Sequence, residues 1–394
     1  MSLSFNFARI PHIIFGSGKL ANLYSLISQY GNSVLIVVGA SSLKKSGKLG
    51  EIEKTLGDNN IIYNVIDVKG EPSPSLVDEA AQKYRNSSID VVVGIGGGSV
   101  TDAGKAISAM ILKEDSIKNY LEGVGNKIHD GQKIPYIAIP TTSGTGSEAT
   151  KNAVISEIGN EGYKKSLRHD NLIPDVAIID PELMKSCPAS VTAACGMDAF
   201  TQLLESYISS NSNPITDALA YSGMKYMKDA LIPACSNKSS DINTRSSMAY
   251  GSLISGMTLA NAGLGVVHGL ASPIGARFRI PHGVVCGTIL AEATKMNIKK
   301  LKNSSEGMKS LKKYADIGAL LSNKPFNTGK SLDENLSNLI KILYNWTEVL
   351  NLDKLSNYGI SHNDISKIVE KSGLKNNPVN LDKKDMTEIL ENRL

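Results

Sequence analysis

Residues 89–112 read IDVVVGIGGGSVTDAGKAISAMIL. A β-branched run, three consecutive glycines and then apolar residues at spacings of three and four spell strand, tight turn and helix. Such a turn lets bare backbone N–H groups approach an anion, and the helix dipole favours negative charge there. Pyrophosphate is the natural occupant, which makes Gly96, Gly97, Gly98 and Ser99 candidate cofactor-binding residues. Ser99 and Asp102, three residues apart, are expected to form a capping box at the start of the helix. The loop misses the GxGxxG pattern, because Ser99 stands where the last glycine would fall. On its own it reads equally well as a plain turn in an α/β domain.

Working outward, residues 33–38 (SVLIVV), 61–68 (IIYNVIDV), 135–139 (PYIAI) and 176–179 (VAII) read as further strands. Amphipathic stretches such as 75–85 alternate with them, which predicts a parallel sheet covered by helices on both faces. A second polar loop, residues 140–148 (PTTSGTGSE), follows another strand and packs five hydroxyls into seven residues. Ligands of open α/β sheets sit at that carboxyl edge, so Thr141, Thr142, Thr145 and Ser147 join the candidates. Past Pro188 the periodicity becomes helical, at 193–209, 214–229, 244–270 and 334–352. Pro181 and Pro188 bracket the change. The expected organisation is an α/β domain over residues 1–184 and an all-α domain over 185–394.

Composition excludes several function classes. The chain has 394 residues, 41% hydrophobic and 20% charged, so it can bury a sizeable core. No apolar run approaches the roughly 18 residues of a membrane span, and the first residues lack a basic then apolar leader. A cytoplasmic protein with no membrane partner is expected. Net charge is only +4. The one basic stretch, Lys299 to Lys313, reads as a solvated helix face, and no aromatic partners suggest nucleic acid. Four cysteines, Cys187, Cys195, Cys235 and Cys286, show no CxxC spacing and read as reduced, mostly structural thiols.

A metal constellation is the second chemical signal. Asp198, Gln202 and Glu205 fall on one face of a predicted helix. His268 and His282 follow, fourteen residues apart and each before a glycine. Two imidazoles and a carboxylate suit zinc or ferrous iron, though spacing alone leaves a hydrogen-bonded core histidine as the commoner reading. His169, after the Lys164–Lys165 pair, reads as a surface residue, with the cofactor cleft as the other possibility. Phe200, Met257, Ile274 and Phe278 are expected to line a small, partly apolar cleft.

Taken in order, GGGS with Asp102 and Lys105, then PTTSGTGSE, GMDAF, HG and IPHG resemble the iron-containing alcohol dehydrogenase family over nearly the whole chain. RIPHIIFGSGKL is similar to that family's opening hairpin. The resemblance implies an NAD(P)-binding α/β domain, an all-helical domain and an active site in the cleft between them. It extends the cofactor-binding set to Gly39, Ser41, Asp102 and Lys165. It also implies a metal held by an Asp and three His. Asp198, His268 and His282 match three of these as catalytic and metal-binding residues, while Gln202 stands at the remaining His position. A further His near the substrate is here Ser272. Three readings follow: weakly bound Fe²⁺ with Gln202 taking part, a three-ligand Zn²⁺ site, or a metal-free variant. A retained divalent metal is preferred.

Gly39, where NAD-preferring relatives carry an Asp, together with Ser41, Ser42, Lys44 and Lys45, points to NADP(H) over NAD(H). The expected activity interconverts a small alcohol and its aldehyde or ketone by metal-assisted hydride transfer, in a homodimer. The rival readings are a non-catalytic or metal-independent homologue with a degraded site, and a dehydroquinate synthase-like cyclase. The cyclase needs a dense basic set, and the helical half offers only Arg277 and Arg279 near the site.

Overall fold

The computed structural model describes residues 4–39, 41–159, 162–323 and 331–394. Eight strands precede the helical part: β1 His12–Phe15, β2 Ser33–Gly39, β3 Ile62–Val68, β4 Val91–Gly96, β5 Tyr136–Pro140, β6 Asn152–Glu157, β7 Tyr163–Arg168 and β8 Val176–Ile179. Six of them form one parallel sheet in the order β1-β8-β5-β4-β2-β3. Both faces are covered, and the two-residue period of a strand decides which side chain goes where. Val34, Ile36 and Val38 pack with the helices Leu23–Tyr30 and Lys48–Asp58, while Leu35 and Val37 pack with Pro74–Tyr84 and Gly98–Met110. The chain leaves β2 for β3 on one side and returns to β4 on the other. That reversal opens a crevice at the carboxyl ends of β2 and β4.

Two expectations in this half are corrected. The opening stretch is no hairpin: β1 pairs in parallel with β8 as the sheet's edge. Asp180, just past β8, accepts from the Gly18 and Leu20 amides at 3.1 and 2.9 Å and holds the following turn down. Nor do Ser99 and Asp102 form a capping box. The helix starts at Gly98 with Gly97 as its N-cap and no side-chain cap, because the glycine turn closes one residue earlier. Its first amides are left to the crevice. Asp102 instead accepts from the Val154 amide of β6 at 3.1 Å. The antiparallel pair β6–β7 was not anticipated.

From Ala189 onward the chain is helical around one large core. The stretch read as a single helix over 244–270 is two, Ile242–Ala262 and Val266–Arg277, bent by 101°. Gly263, at φ +72°, ends the first, and Glu205 accepts from the Val267 amide to start the second. Among the described residues, no single helix is long and apolar enough to cross a membrane.

Candidate active site and metal centre

Two glycines of the first loop do different jobs. A Cβ on Gly98 would lie 2.5 Å from Thr145, so the close approach of the two loops requires glycine there. A Cβ on Gly97 would meet Thr142 at an ordinary 3.4 Å. Gly97 is therefore not held bare by packing. A cleft of about 840 Å³ opens at this sheet edge, lined by Ser41, Thr141 and Thr142 on one side and by Cys187 and Val191 of the helical half on the other. Gly39 ends β2, and a Cβ there would stand 3.6 Å from Val100. Lys44 is engaged by Asp67 at 2.6 Å, so of the two lysines proposed for a 2′-phosphate only Lys45 lacks that partner. Ser147 is buried, and its carbonyl accepts from Lys105. Lys165 stands outside the main sheet, exposed on β7 beside Gly123. His169 caps the turn at Asn171 through its own ring.

Behind the loops lies a buried ionisable trio. Burial pushes the Asp102 carboxyl up to about 6 and that of Glu148 up to about 7, and lowers the Lys105 ammonium to about 8. Lys105 is completely buried and donates to the carbonyls of Ser147, Thr150 and Asn152, each at 2.8 Å.

In the helical half, Asp198 sits on the helix Ala189–Ile208, His268 on Val266–Arg277, and His282 opens His282–Lys302. Gly283 lets the last of these come backbone to backbone with the first: a Cβ there would fall 2.1 Å from the Ala194 carbonyl. That contact brings His282 to Asp198. Asp198 Oδ1 lies 3.3 Å from His268 Nε2 and 3.8 Å from His282 Nε2. Cys286 Sγ lies 3.7 Å from each of those nitrogens. All four donor atoms fall within 4.8 Å of one another.

A tetrahedral ion with ligands at about 2.0–2.3 Å would put its donors about 3.3–3.8 Å apart, so this donor set fits a divalent metal. Glu205 accepts from His268 Nδ1 at 2.7 Å, which turns Nε2 toward the cluster, the usual support for a ligating imidazole. Burial drives His282 down to about 3, leaving a neutral ring. Burial opposes charge on Asp198 too, but the neighbouring imidazoles, with His268 hydrogen-bonded to it at 3.3 Å, hold the carboxyl below its usual range.

Gln202, on the same face as Asp198, accepts from the Ser255 hydroxyl at 2.8 Å. Ser272 turns back onto the His268 carbonyl at 3.1 Å, a helix-packing role. Phe200 and Ile274 are fully buried in the core, Phe200 against Trp346, and do not line a cleft as expected, because the helices around them close on every side.

Comparison with known proteins decides the family. The model described as iron-containing alcohol dehydrogenase matches residues 11–181, and that of the family's C-terminal part matches 192–394. The chain belongs to the iron-containing alcohol dehydrogenase family. It is an oxidoreductase of alcohols. It is 36% identical to long-chain-alcohol dehydrogenase 1 of Geobacillus thermodenitrificans over 70% of this chain and 69% of the relative. It is 31% identical to the NADPH-dependent butanol dehydrogenase of Clostridium saccharobutylicum over 96% and 95%. An archaeal alcohol dehydrogenase from a Red Sea brine pool superposes with a TM-score of 0.89 at 28% identity, covering 100% and 99%. The α/β sheet followed by a helix-rich region is thus that of the iron-containing alcohol dehydrogenases. The degraded-homologue reading is not favoured, and family members use NAD(P) and a metal.

Cys286 and Glu205 are the site residues that sequence reasoning missed. Cys286 read as a structural thiol, although its spacing of four from His282 places both on one helix face. Glu205 lies on the Asp198 face of the predicted helix, and nothing in the sequence marks its bond to His268.

Proposed function

We propose that this alcohol dehydrogenase interconverts small alcohols and aldehydes with NADP(H) preferred over NAD(H), using a divalent metal at Asp198, His268 and His282. One observation carries the reading. Thr142 stands beside Gly97 and lines the cleft. It also faces Cys195, one helical turn before Asp198. The hydroxyl loop therefore lies between the cleft and the helix that carries Asp198, which supports an approach of nicotinamide to the donor cluster.

The chain's own residues divide the work. The free amides at Gly98 and Ser99 face the pyrophosphate, and Thr141, Thr142 and Ser41 supply hydroxyls for ribose or amide; Lys165 and Thr145 belong to the same proposed set. Asp198, ionised, and His282, neutral, offer lone pairs to a cation, and Glu205 fixes the tautomer of His268. A divalent cation bound there polarises the substrate oxygen and lowers the pKa of its hydroxyl. NADP(H) preference rests on Gly39, which places no carboxylate against a 2′-phosphate, and on the neighbouring Ser41 and Lys45. Residues 1–184 serve as the cofactor-binding unit and 185–394 as the metal and substrate unit, in a cytoplasmic homodimer.

The test is NADPH oxidation against a panel of short aldehydes, with metal content measured before and after chelation. Turnover with aldehydes that is lost on chelation and restored by Zn²⁺ or Fe²⁺ is expected. Turnover that survives complete stripping would remove the metal from the reaction.

A further inference from the structure

We infer that the fourth metal ligand of this chain is the Cys286 thiolate, and that the site is built for Zn²⁺. The inference rests on the metal reading above and goes beyond it in naming the ligand and the ion.

The geometry is that of a four-donor set, to which a substrate oxygen would add as a fifth ligand, as catalytic zinc sites allow. Cys286 Sγ is equidistant, at 3.7 Å, from the ring nitrogens of His268 and His282, and these in turn lie 3.3 and 3.8 Å from Asp198 Oδ1. Four of the six edges of a tetrahedron are thereby within about 3.3–3.8 Å, the spread expected for bonds of about 2.0 Å to nitrogen or oxygen and about 2.3 Å to sulfur. Position follows from the helix: Cys286 is one turn beyond His282, and its side chain leans back toward the N-terminus onto the same face.

Gln202 does not compete for this fourth position. Its amide oxygen already accepts from Ser255, and as a neutral donor it is the weakest of the group. A soft thiolate beside two imidazoles and a carboxylate selects zinc over the harder ferrous ion. The other cysteines do not compete, since among the described residues only Cys286 joins the cluster.

Cobalt reports the ligand without reference to turnover. The full-length protein is stripped by a chelator and titrated with Co²⁺. A near-ultraviolet sulfur-to-cobalt charge-transfer band should grow to a plateau at one ion per chain. Cys286→Ser should lose the band while Asp198 and the two histidines still bind cobalt, and Cys195→Ser and Gln202→Ala should keep it. Zinc X-ray absorption of the unaltered protein, which needs no variant to fold, should show one sulfur neighbour at about 2.3 Å. Bound cobalt with no band, a first shell of nitrogen and oxygen only, or a band lost in Cys195→Ser overturns this assignment alone. Failure of the unaltered protein to bind any cobalt or zinc overturns the metal reading together with it.

Discussion

On the proposed reading, the sheet half and the helical half hold their ligands by opposite means. At the glycine loop the binding groups are backbone amides and small hydroxyls, and the selection is for bareness: Gly97 keeps a space that packing would let a side chain fill. At the donor cluster the binding groups are titratable side chains from three helices, and the selection is for ligand identity. One half recognises by shape and the other by donor chemistry. Adding an atom should therefore hurt the first, and exchanging a donor should hurt the second.

The largest expected effect breaks the helical side alone. His282→Ala removes one of the proposed metal ligands and should lower kcat/KM by about a thousandfold, the several kcal/mol that Lewis-acid assistance supplies. Cofactor affinity, followed by NADPH fluorescence, should stay within a factor of two or so. An equal loss of both would mean that the two halves are not separable.

The contrast is sharpened by the charge the sheet half hides. Glu148 is raised by burial to about 7, above its ordinary 4.5. A carboxyl held up in this way contributes stability that is fully present below pH 4.5 and is lost as pH rises through 7. The unaltered protein should lose up to about 3 kcal/mol relative to Glu148→Gln over that window, at about 1.4 kcal/mol per unit. Denaturant midpoints measured every half pH unit check this, and parallel profiles for the two proteins contradict it.

Gly97→Val is the mirror image of the first substitution. There is room for a Cβ at this position, so metal content should be unchanged while the NADPH Kd rises about thirtyfold, the worth of one or two charge-assisted hydrogen bonds. Gly98→Val is its control, and should fail to fold because Thr145 blocks it. The smallest effect concerns cofactor choice. Gly39→Asp, for which there is room beside Val100, should move the NADPH-to-NADH ratio of kcat/KM about tenfold toward NADH by repelling a 2′-phosphate. A parent enzyme that already prefers NADH widely would sink that proposal.

The same contrast explains what could be read from the sequence. Each feature of the sheet half is local: strand, glycine turn and helix follow within 24 residues at 89–112, and all of the central strands were legible to within two residues. The edge strand β1 was not, because what makes it a strand is β8, some 160 residues later. In the helical half, Asp198, His268 and His282 were legible as residue types, but their meeting depends on Gly283 and on the bend at Gly263. Both are tertiary facts. Cys286 was missed for the same reason. A buried cysteine in an apolar helix reads as core until the helix is known to begin at a ligand.

Lys105 has a consequence beyond its own burial. By donating to three carbonyls across residues 147–152 it fastens the helix behind the glycine loop to the hydroxyl loop, and Asp102 fastens the same helix to β6. The two walls of the cofactor crevice are thus one rigid piece. A dinucleotide arriving there meets donors already in place and has little chain to order, so its association should be driven by enthalpy, with only a small loss of protein conformational entropy.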